Sequence, residues 1–457
     1  MEPRWRNHLR TSARRHHAVS ANGGSASPLT TLDPSRGESH HVLPSFLPDG
    51  RHFIYLRYSS RPENSGVYVG SLDARPQEQS SKMLLPTSYG VAYVPSSDSG
   101  FGHLLFVRDG TLMTQSFDTS RLEFLGEPVT VAEQVGSYRE GGFFSASTNG
   151  VLVYRTGSGG ESQLTRFDRQ GKVLGTVGER GLYDTLALSP DETRVAVERL
   201  DPQNGKEALW LVDLSRGTST RFTFGSSGVA NAIWSPDGSR IIFASSPETT
   251  VVFDLYQKAS SGAEDKELML KSGESKSPSS LSRDGRFLLY TAADPKRKYH
   301  LWVLPLAGDK KPSPFLQTEF NDVDGHFSPD GHWVAYRSDE SGRYEIYVRR
   351  FSPDSKAAAS DAGGKWQVSY GGGIEPRWSV DGKELYYATL DWKVMAVEVT
   401  SKPVFQAGTP KLLFQAPLQP SRGPGDFTVD GQHFLFLAPM GQAPFTVILN
   451  WQAGLKK

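Results

Sequence analysis

One pattern of apolar and polar positions recurs along the chain: a large apolar residue, four turn-forming residues, then a short apolar run. Its clearest copy is Trp234-Ser235-Pro236-Asp237-Gly238-Ser239-Arg240-Ile241-Ile242-Phe243. Serine suits the first position of a type I turn, proline presets φ at the second and glycine relaxes the exit, so the segment reads as strand, tight turn, strand. The frame returns as Phe327-Ser328-Pro329-Asp330-Gly331 before Trp333-Val334-Ala335-Tyr336, and as Leu47-Pro48-Asp49-Gly50 before Phe53-Ile54-Tyr55-Leu56. Weaker copies keep the aspartate at Asp191, Asp284, Asp381 and Asp430.

From Asp191 to Asp430 these aspartates stand 46 to 51 residues apart, close to the period of one four-stranded propeller blade, about 40 to 50 residues. Each turn is followed by an apolar strand and a polar loop. A third strand comes next, such as Leu209-Trp210-Leu211-Val212-Asp213 or Glu345-Ile346-Tyr347-Val348, then a fourth such as Thr220-Arg221-Phe222-Thr223. The expected fold is all-β, a β-propeller of four-stranded blades with about nine repeat motifs: three before residue 182, two of them cryptic, and six after it. Propellers typically carry four to eight blades, so two rings are expected rather than one eight- or nine-bladed ring.

Residues 1–18 read as a disordered basic tail, 19–181 as a partial N-terminal propeller of about three repeats, and 182–457 as a six-bladed C-terminal propeller. In the last repeat, Phe434–Leu437 reads as a second strand and Phe445–Leu449 as a third. The fourth strand must come from elsewhere. Lys172–Val177 is the candidate, because pairing there would close the ring and remove an exposed edge. Ser352 to Gly364 reads as the longest loop, a tolerated surface insertion.

Composition narrows the partners. Fifty basic and fifty acidic residues cancel, so no global field argues for nucleic acid or an anionic membrane surface. The absence of cysteine removes disulfides, thiolate metal sites and cysteine nucleophiles. No apolar run approaches the roughly 20 residues of a membrane span, and no signal segment follows the basic start, so a soluble monomer is expected.

Through the recurring apolar-Ser-Pro-Asp-Gly frame and strands such as Glu345-Ile346-Tyr347-Val348, the chain resembles the TolB-like, WD-type β-propeller repeats of bacteria over roughly residues 19–457. Within them it looks like the propeller regions of bacterial membrane-anchored serine/threonine protein kinases. That resemblance implies a TolB-like C-terminal ring, a sensor or scaffold role in a signalling protein, a protein or peptide partner, and an extracytoplasmic position. More repeats usually precede this point in such proteins, which would make the chain a truncated or re-started member.

Chemistry is sparse. A kinase needs a glycine-rich loop, a His-Arg-Asp catalytic loop and an Asp-Phe-Gly metal site, and a propeller-bearing serine hydrolase needs a Gly-x-Ser-x-Gly elbow. None of these motifs occurs. His40 and His41 are adjacent on an extended chain and His326 and His332 straddle a turn, so they read as surface or turn residues, not metal ligands. Trp210, Trp234, Trp302, Tyr347 and Trp378 read as blade core. Asp49, Asp191, Asp237, Asp284, Asp330, Asp381 and Asp430 read as structural turn residues that satisfy nearby backbone donors. No metal or cofactor is expected. The remaining candidate is the mouth of the central channel, which first-strand residues five or six places before each turn aspartate enter: Thr185, Asn231, Asp324 and Glu375, with Arg377 beside them. The leading expectation is a non-enzymatic interaction or sensing module. A propeller hydrolase or lyase with a channel site, and an inactive fragment of a kinase sensor, are the alternatives.

Overall fold

A computed structural model describes residues 6–10, 15–20, 22–59, 61–96, 100–138, 140–157, 161–200, 207–225, 228–247, 252–293, 298–352, 364–401, 404–416, 427–431, 433–439 and 444–456. The chain forms two compact units, Met1–Gly159 with Gly441–Lys457, and Gly160–Met440. Both are built of antiparallel strands, and the helices among the described residues are short 3-10 turns. The expected loop at 352–364 falls almost wholly outside the described residues.

The second unit holds six sheets. Blade I is Tyr183–Leu188, Arg194–Leu200, Glu207–Asp213 and Ser219–Arg221; blade II is Gly228–Trp234, Arg240–Ser246, Asp254–Ala259 and Glu267–Leu270. Blade III is Lys276–Leu281, Phe287–Ala293, Tyr299–Pro305 and Ser313–Leu316; blade IV is Asp322–Phe327, Trp333–Ser338, Glu345–Arg350 and Lys365–Gln367. Blade V is Ile374–Trp378, Glu384–Ala388, Lys393–Thr400 and Lys411–Gln415, with Gln406–Ala407 as a side pairing. Blade VI joins the two ends of the unit in the order Phe427–Asp430, His433–Pro439, Ser162–Phe167, Val173–Gly181.

Each blade is apolar on both faces because it is packed on both. Ala196 and Leu209 of blade I meet Val229, Ile241 and Phe243 of blade II. Equivalent cores join II to III, III to IV, IV to V and V to VI. Leu164, Leu435 and Leu437 of blade VI then meet Leu186, Val195 and Val197 of blade I. The order is cyclic, and the chain's β-propeller class follows from it. Trp210, Trp234, Trp302, Tyr347 and Trp378 all lie in or against these cores.

The turn before each second strand shows what the aspartate does. In blade II the Gly238 N–H donates to Ser235 O (2.9 Å), Ser235 Oγ donates to Asp237 Oδ1 (2.6 Å), and Asp237 Oδ1 accepts from the Ser239 N–H (3.1 Å). Ser235 Oγ also accepts from the Arg240 N–H at 2.9 Å, which ties the turn to the next strand. The same set recurs at Ser189/Asp191, Ser282/Asp284, Ser328/Asp330 and Ser379/Asp381. The Ser235 and Ser239 hydroxyls hold the Asp237 carboxyl down at about 2. Asp49, whose turn has Leu47 in the serine position, accepts instead from the Arg51 and His52 N–H groups. At Asp430 the residue two places on, which donates its N–H in the other turns, lies outside the described residues. Asp430 sits at a tight strand reversal opposite His433 and pairs with the His433 ring and with Arg166, both at 3.0 Å.

The first unit carries two complete four-stranded sheets, Glu38–Phe46, His52–Ser59, Gly66–Ser71, Met83–Pro86 and Ala92–Pro95, Phe101–Arg108, Thr111–Asp118, Glu123–Ala132. It also has the three-stranded sheets Arg6–Arg10, His16–Ser20, Ser27–Pro28 and Phe144–Ala146, Val151–Arg155, Phe445–Leu449, and the small pair Ser137–Tyr138, Gly141–Gly142. Several expectations change accordingly. The stretch 1–18 is not a disordered tail throughout, since it supplies two paired strands and the buried His16 and Ala18. The division at 181/182 moves to 159/160, because Ser162–Phe167 is the third strand of blade VI. Val173–Gly181 supplies the fourth, in the place expected of Lys172–Val177. Phe445–Leu449 leaves that blade and pairs with Val151–Arg155 in the other unit.

Two outcomes are expected. Asp237→Ala and Asp330→Ala should each cost roughly 0.5 to 1.5 kcal/mol in denaturant unfolding. Neither position should show a calcium-dependent melting shift, because Oδ1 is already filled by a hydroxyl and a backbone N–H; a millimolar-calcium rise abolished by either change would overturn this. A chain beginning at Glu161 should melt above one beginning at Tyr183, which lacks two strands of blade VI, and equal melting temperatures would remove those strands from the closing role.

Candidate functional site

In five of the six blades of the second unit the first strand breaks its pairing register shortly before the turn, whereas Phe427–Asp430 of blade VI pairs without a shift. The shifts fall between Tyr183 and Leu186, Ala230 and Ile233, Pro278 and Ser280, Val323 and His326, and Ile374 and Arg377 in blades I to V. An extra residue in one strand kinks it and re-aims its side chains. At the break Asn231, Asp324 and Glu375 take left-handed backbone conformations, with φ of 51°, 52° and 56°. Asn and Asp tolerate that region; Glu does so at a cost, which marks a position held by its surroundings.

The bulged strands surround a channel of about 670 Å³. Thr185, Asn231, Asp324, Glu375 and Arg377 all line it. Pro190, Pro236, Pro329 and Val380, the second residues of four turns, line it as well, together with Arg283 from the turn of blade III. Sequence reasoning placed the five mouth residues together but missed three of their partners.

On blades IV and V every charged group at the mouth is paired. Arg337 Nε lies 2.7 Å from Asp324 Oδ2. Arg377 donates to Glu375 Oε2 (3.0 Å), to the carbonyls of Phe427 and Pro376 (both 3.0 Å), and to His326 Nε2 (2.7 Å). Burial, and then the neighbouring Arg377 charge, hold the His326 imidazole well below its ordinary value, so the ring is neutral and its Nε2 accepts. His326 is therefore a channel residue and not the surface or turn histidine expected. The Trp378 indole donates to His326 O (3.0 Å) and the Trp234 indole to Ala187 O (2.9 Å), each tying neighbouring first strands together.

Blade I, three blades from blade IV and two from blade V in the cyclic order, carries a buried acidic cluster. Glu198, 4% exposed, accepts from Thr185 Oγ1 and from the Asn231 N–H, both at 3.2 Å, and so joins blade I to the bulge of blade II. Its carboxyl lies within 4.8 Å of those of Asp184 and Glu207. Burial first, and then Glu207 and Asp184, push the Glu198 carboxyl well above its ordinary value. Raised in this way, the Glu198 carboxyl favours its protonated form, as expected of carboxylates that share one site. Glu198 and Arg337 occupy the same place in their blades, seven residues after Asp191 and Asp330. The available signal was a charge closing an apolar run, in Val195-Ala196-Val197-Glu198 and in Val334-Ala335-Tyr336-Arg337.

Elsewhere, His41 is buried against Glu38 and Thr30, and His40 pairs with Glu140 at 2.8 Å. Among the described residues no helix is long and apolar enough to cross a membrane.

No family model and no curated protein matches the chain. The solved structures it resembles are TolB and other β-propeller proteins. A protein assigned as TolB from Agrobacterium tumefaciens is 17% identical, with a TM-score of 0.48 over 60% of this chain and 97% of that one. TolB from Acinetobacter baumannii is 16% identical, with a TM-score of 0.41 over 79% and 82%. An oligogalacturonate lyase in complex with manganese is 15% identical, with a TM-score of 0.36 over 74% and 86%. Likenesses of this degree carry no statement about activity.

The raised Glu198 carboxyl has a stability consequence with a definite sign. The folded protein keeps a proton that the unfolded chain releases above the ordinary value of 4.5, so this group's contribution is full below that pH and is lost as pH rises. Glu198→Gln keeps an acceptor for Thr185 and Asn231 and cannot ionise. Its melting temperature should exceed that of the parent chain at about pH 7.5 and match it at about pH 4; a difference that does not vary with pH would sink the assignment.

Proposed function

We propose that the chain is a non-enzymatic β-propeller interaction module whose second-unit channel receives a peptide end or a small polar ligand. The observation that carries this is the convergence of Asn231, Asp324 and Glu375, from three blades and in left-handed backbone, on one channel mouth with Arg377 and Thr185. Of the three, Glu375 is strained, and strain of that kind persists where surrounding structure over-determines it and clusters at ligand sites. Thr185 and Asn231 on one side and the Arg337–Asp324 and Arg377–Glu375 pairs on the other give the mouth a mixed polar lining, which suits a ligand carrying both donors and acceptors. The role as sensor or scaffold of a bacterial signalling protein is supported by the sequence resemblance alone.

The competing reading is a channel lyase or hydrolase, and His326 is what favours it, since imidazole is the usual general base. Its Nε2 already accepts from Arg377, and Asp324 and Glu375 are each matched to an arginine. Groups so occupied fit a fixed polar surface better than a proton relay, which supports the binding reading.

Peptides selected by display on the full chain test both readings. Arg377→Ala and Asp324→Ala should each weaken the selected peptides by about tenfold or more, the scale of one lost charge-assisted contact. Mass spectrometry should return those peptides intact after long incubation. Binding indifferent to both changes would overturn the channel as the site, and cleaved or eliminated products would overturn the non-enzymatic role.

A further inference from the structure

In the second unit every sheet is covered on both faces. In the first unit, the sheet of Phe144–Ala146, Val151–Arg155 and Phe445–Leu449 is covered on one. Phe144, Ala146, Leu152, Tyr154 and Ile448 pack with Val94, Leu105 and Val107. The opposite face presents Phe445, Val447 and Leu449 at 69%, 57% and 69% exposure, beside Arg155, Val153 and Val151 of the adjoining strand, so one charge, at the Phe445 end, borders an otherwise apolar row. Phe445–Leu449 is also the sheet's edge, and among the described residues no strand pairs beyond it.

Natural edge strands are blunted by lysine, proline, a bulge or extreme shortness, because a row of open N–H and C=O groups invites pairing. Phe445-Thr446-Val447-Ile448-Leu449 has no charge and no proline, and it runs in unbroken register against Val151–Arg155. It is also symmetric in pattern about Val447, with apolar residues two places to either side.

We propose that Phe445–Leu449 is a self-association edge, pairing antiparallel with the same strand of a second copy about a two-fold axis through Val447. That pairing sets Phe445 beside the partner's Leu449, Val447 beside the partner's Val447, and Thr446 beside the partner's Ile448. Cross-strand pairs of this kind stabilise a sheet, whereas like charges set opposite each other destabilise it, and here there are none. The two three-stranded sheets become one continuous sheet, and the contact is isologous, as a closed dimer requires. The apolar face beside the edge then continues across the axis into its own copy.

The absence of cysteine makes the register directly testable in the full-length chain. Across the axis two residues at position 447 have Cα atoms about 4.5 to 5.5 Å apart, inside the roughly 4.4 to 6.8 Å of a disulfide. Two residues at 445, or two at 449, are on the order of 14 Å apart in the same pairing. Under mild oxidation Val447→Cys should give a covalent dimer, and Phe445→Cys and Leu449→Cys should stay monomeric. The parent chain should sediment as a concentration-dependent dimer, and Val447→Lys should raise its dissociation constant about tenfold or more. If Val447→Lys fails to fold, the cysteine series still decides. Equal cross-linking at all three positions, a parent chain that is monomeric at every concentration, or a monomer that takes an extended apolar peptide from another protein at this strand would each overturn the proposal.

Discussion

The second unit depends on a seam between two strands that are far apart in sequence. Ser162–Phe167 pairs with His433–Pro439 in continuous register, Leu164 against Leu437 and Phe167 against Phe434. Alternation does the rest: Leu164, Leu435 and Leu437 face blade I, while Phe167, Phe434 and Phe436 face blade V. Both neighbouring cores are therefore completed by the same hydrogen-bonded pair. Opening it would expose two apolar faces and two strand edges together, so the closed order of blades, and the channel inside it, stand or fall with this pairing.

The channel mouth is rigid for a related reason. A bulge in a first strand would be free to relax if its side chain pointed to solvent. Here Asp324 is matched by Arg337, Glu375 by Arg377, and the Asn231 backbone by Glu198 from the neighbouring blade. Indole donors from Trp234 and Trp378 tie first strand to first strand on the same walls. Asp324 is thus held from its own blade's second strand, Glu375 from two places along its own first strand, and Asn231 from the adjacent blade. In a site of low dielectric, such matched pairs make a defined polar surface at little further cost of ordering when a ligand arrives.

The turns and the channel answer to different physics, which explains why one was easier to read than the other. A Ser-Pro-Asp-Gly turn is a local object. Proline's φ, the serine-to-aspartate hydrogen bond and glycine's left-handed exit all lie within a few residues, so the period of the repeat and the identity of each second strand could be taken from the amino-acid order. Glu192 shows the limit, for it stands in the glycine position of blade I with φ of 57° and the turn forms regardless.

By itself, then, the sequence determined the all-β class, the four-strand period, the structural work of Asp191, Asp237, Asp284, Asp330 and Asp381, and the set of first-strand positions that reach the channel. Each of these follows from alternation and turn chemistry, which act between near neighbours. The tertiary structure decided which strands close blade VI, where the two units divide, and which partners Thr185, Asn231, Asp324, Glu375 and Arg377 find. Ser162–Phe167 and Phe445–Leu449 are both short apolar strands of period two, and nothing local distinguishes the one that belongs beside His433–Pro439. That choice is made by the neighbours on either face of the sheet, through contacts between residues hundreds of positions apart.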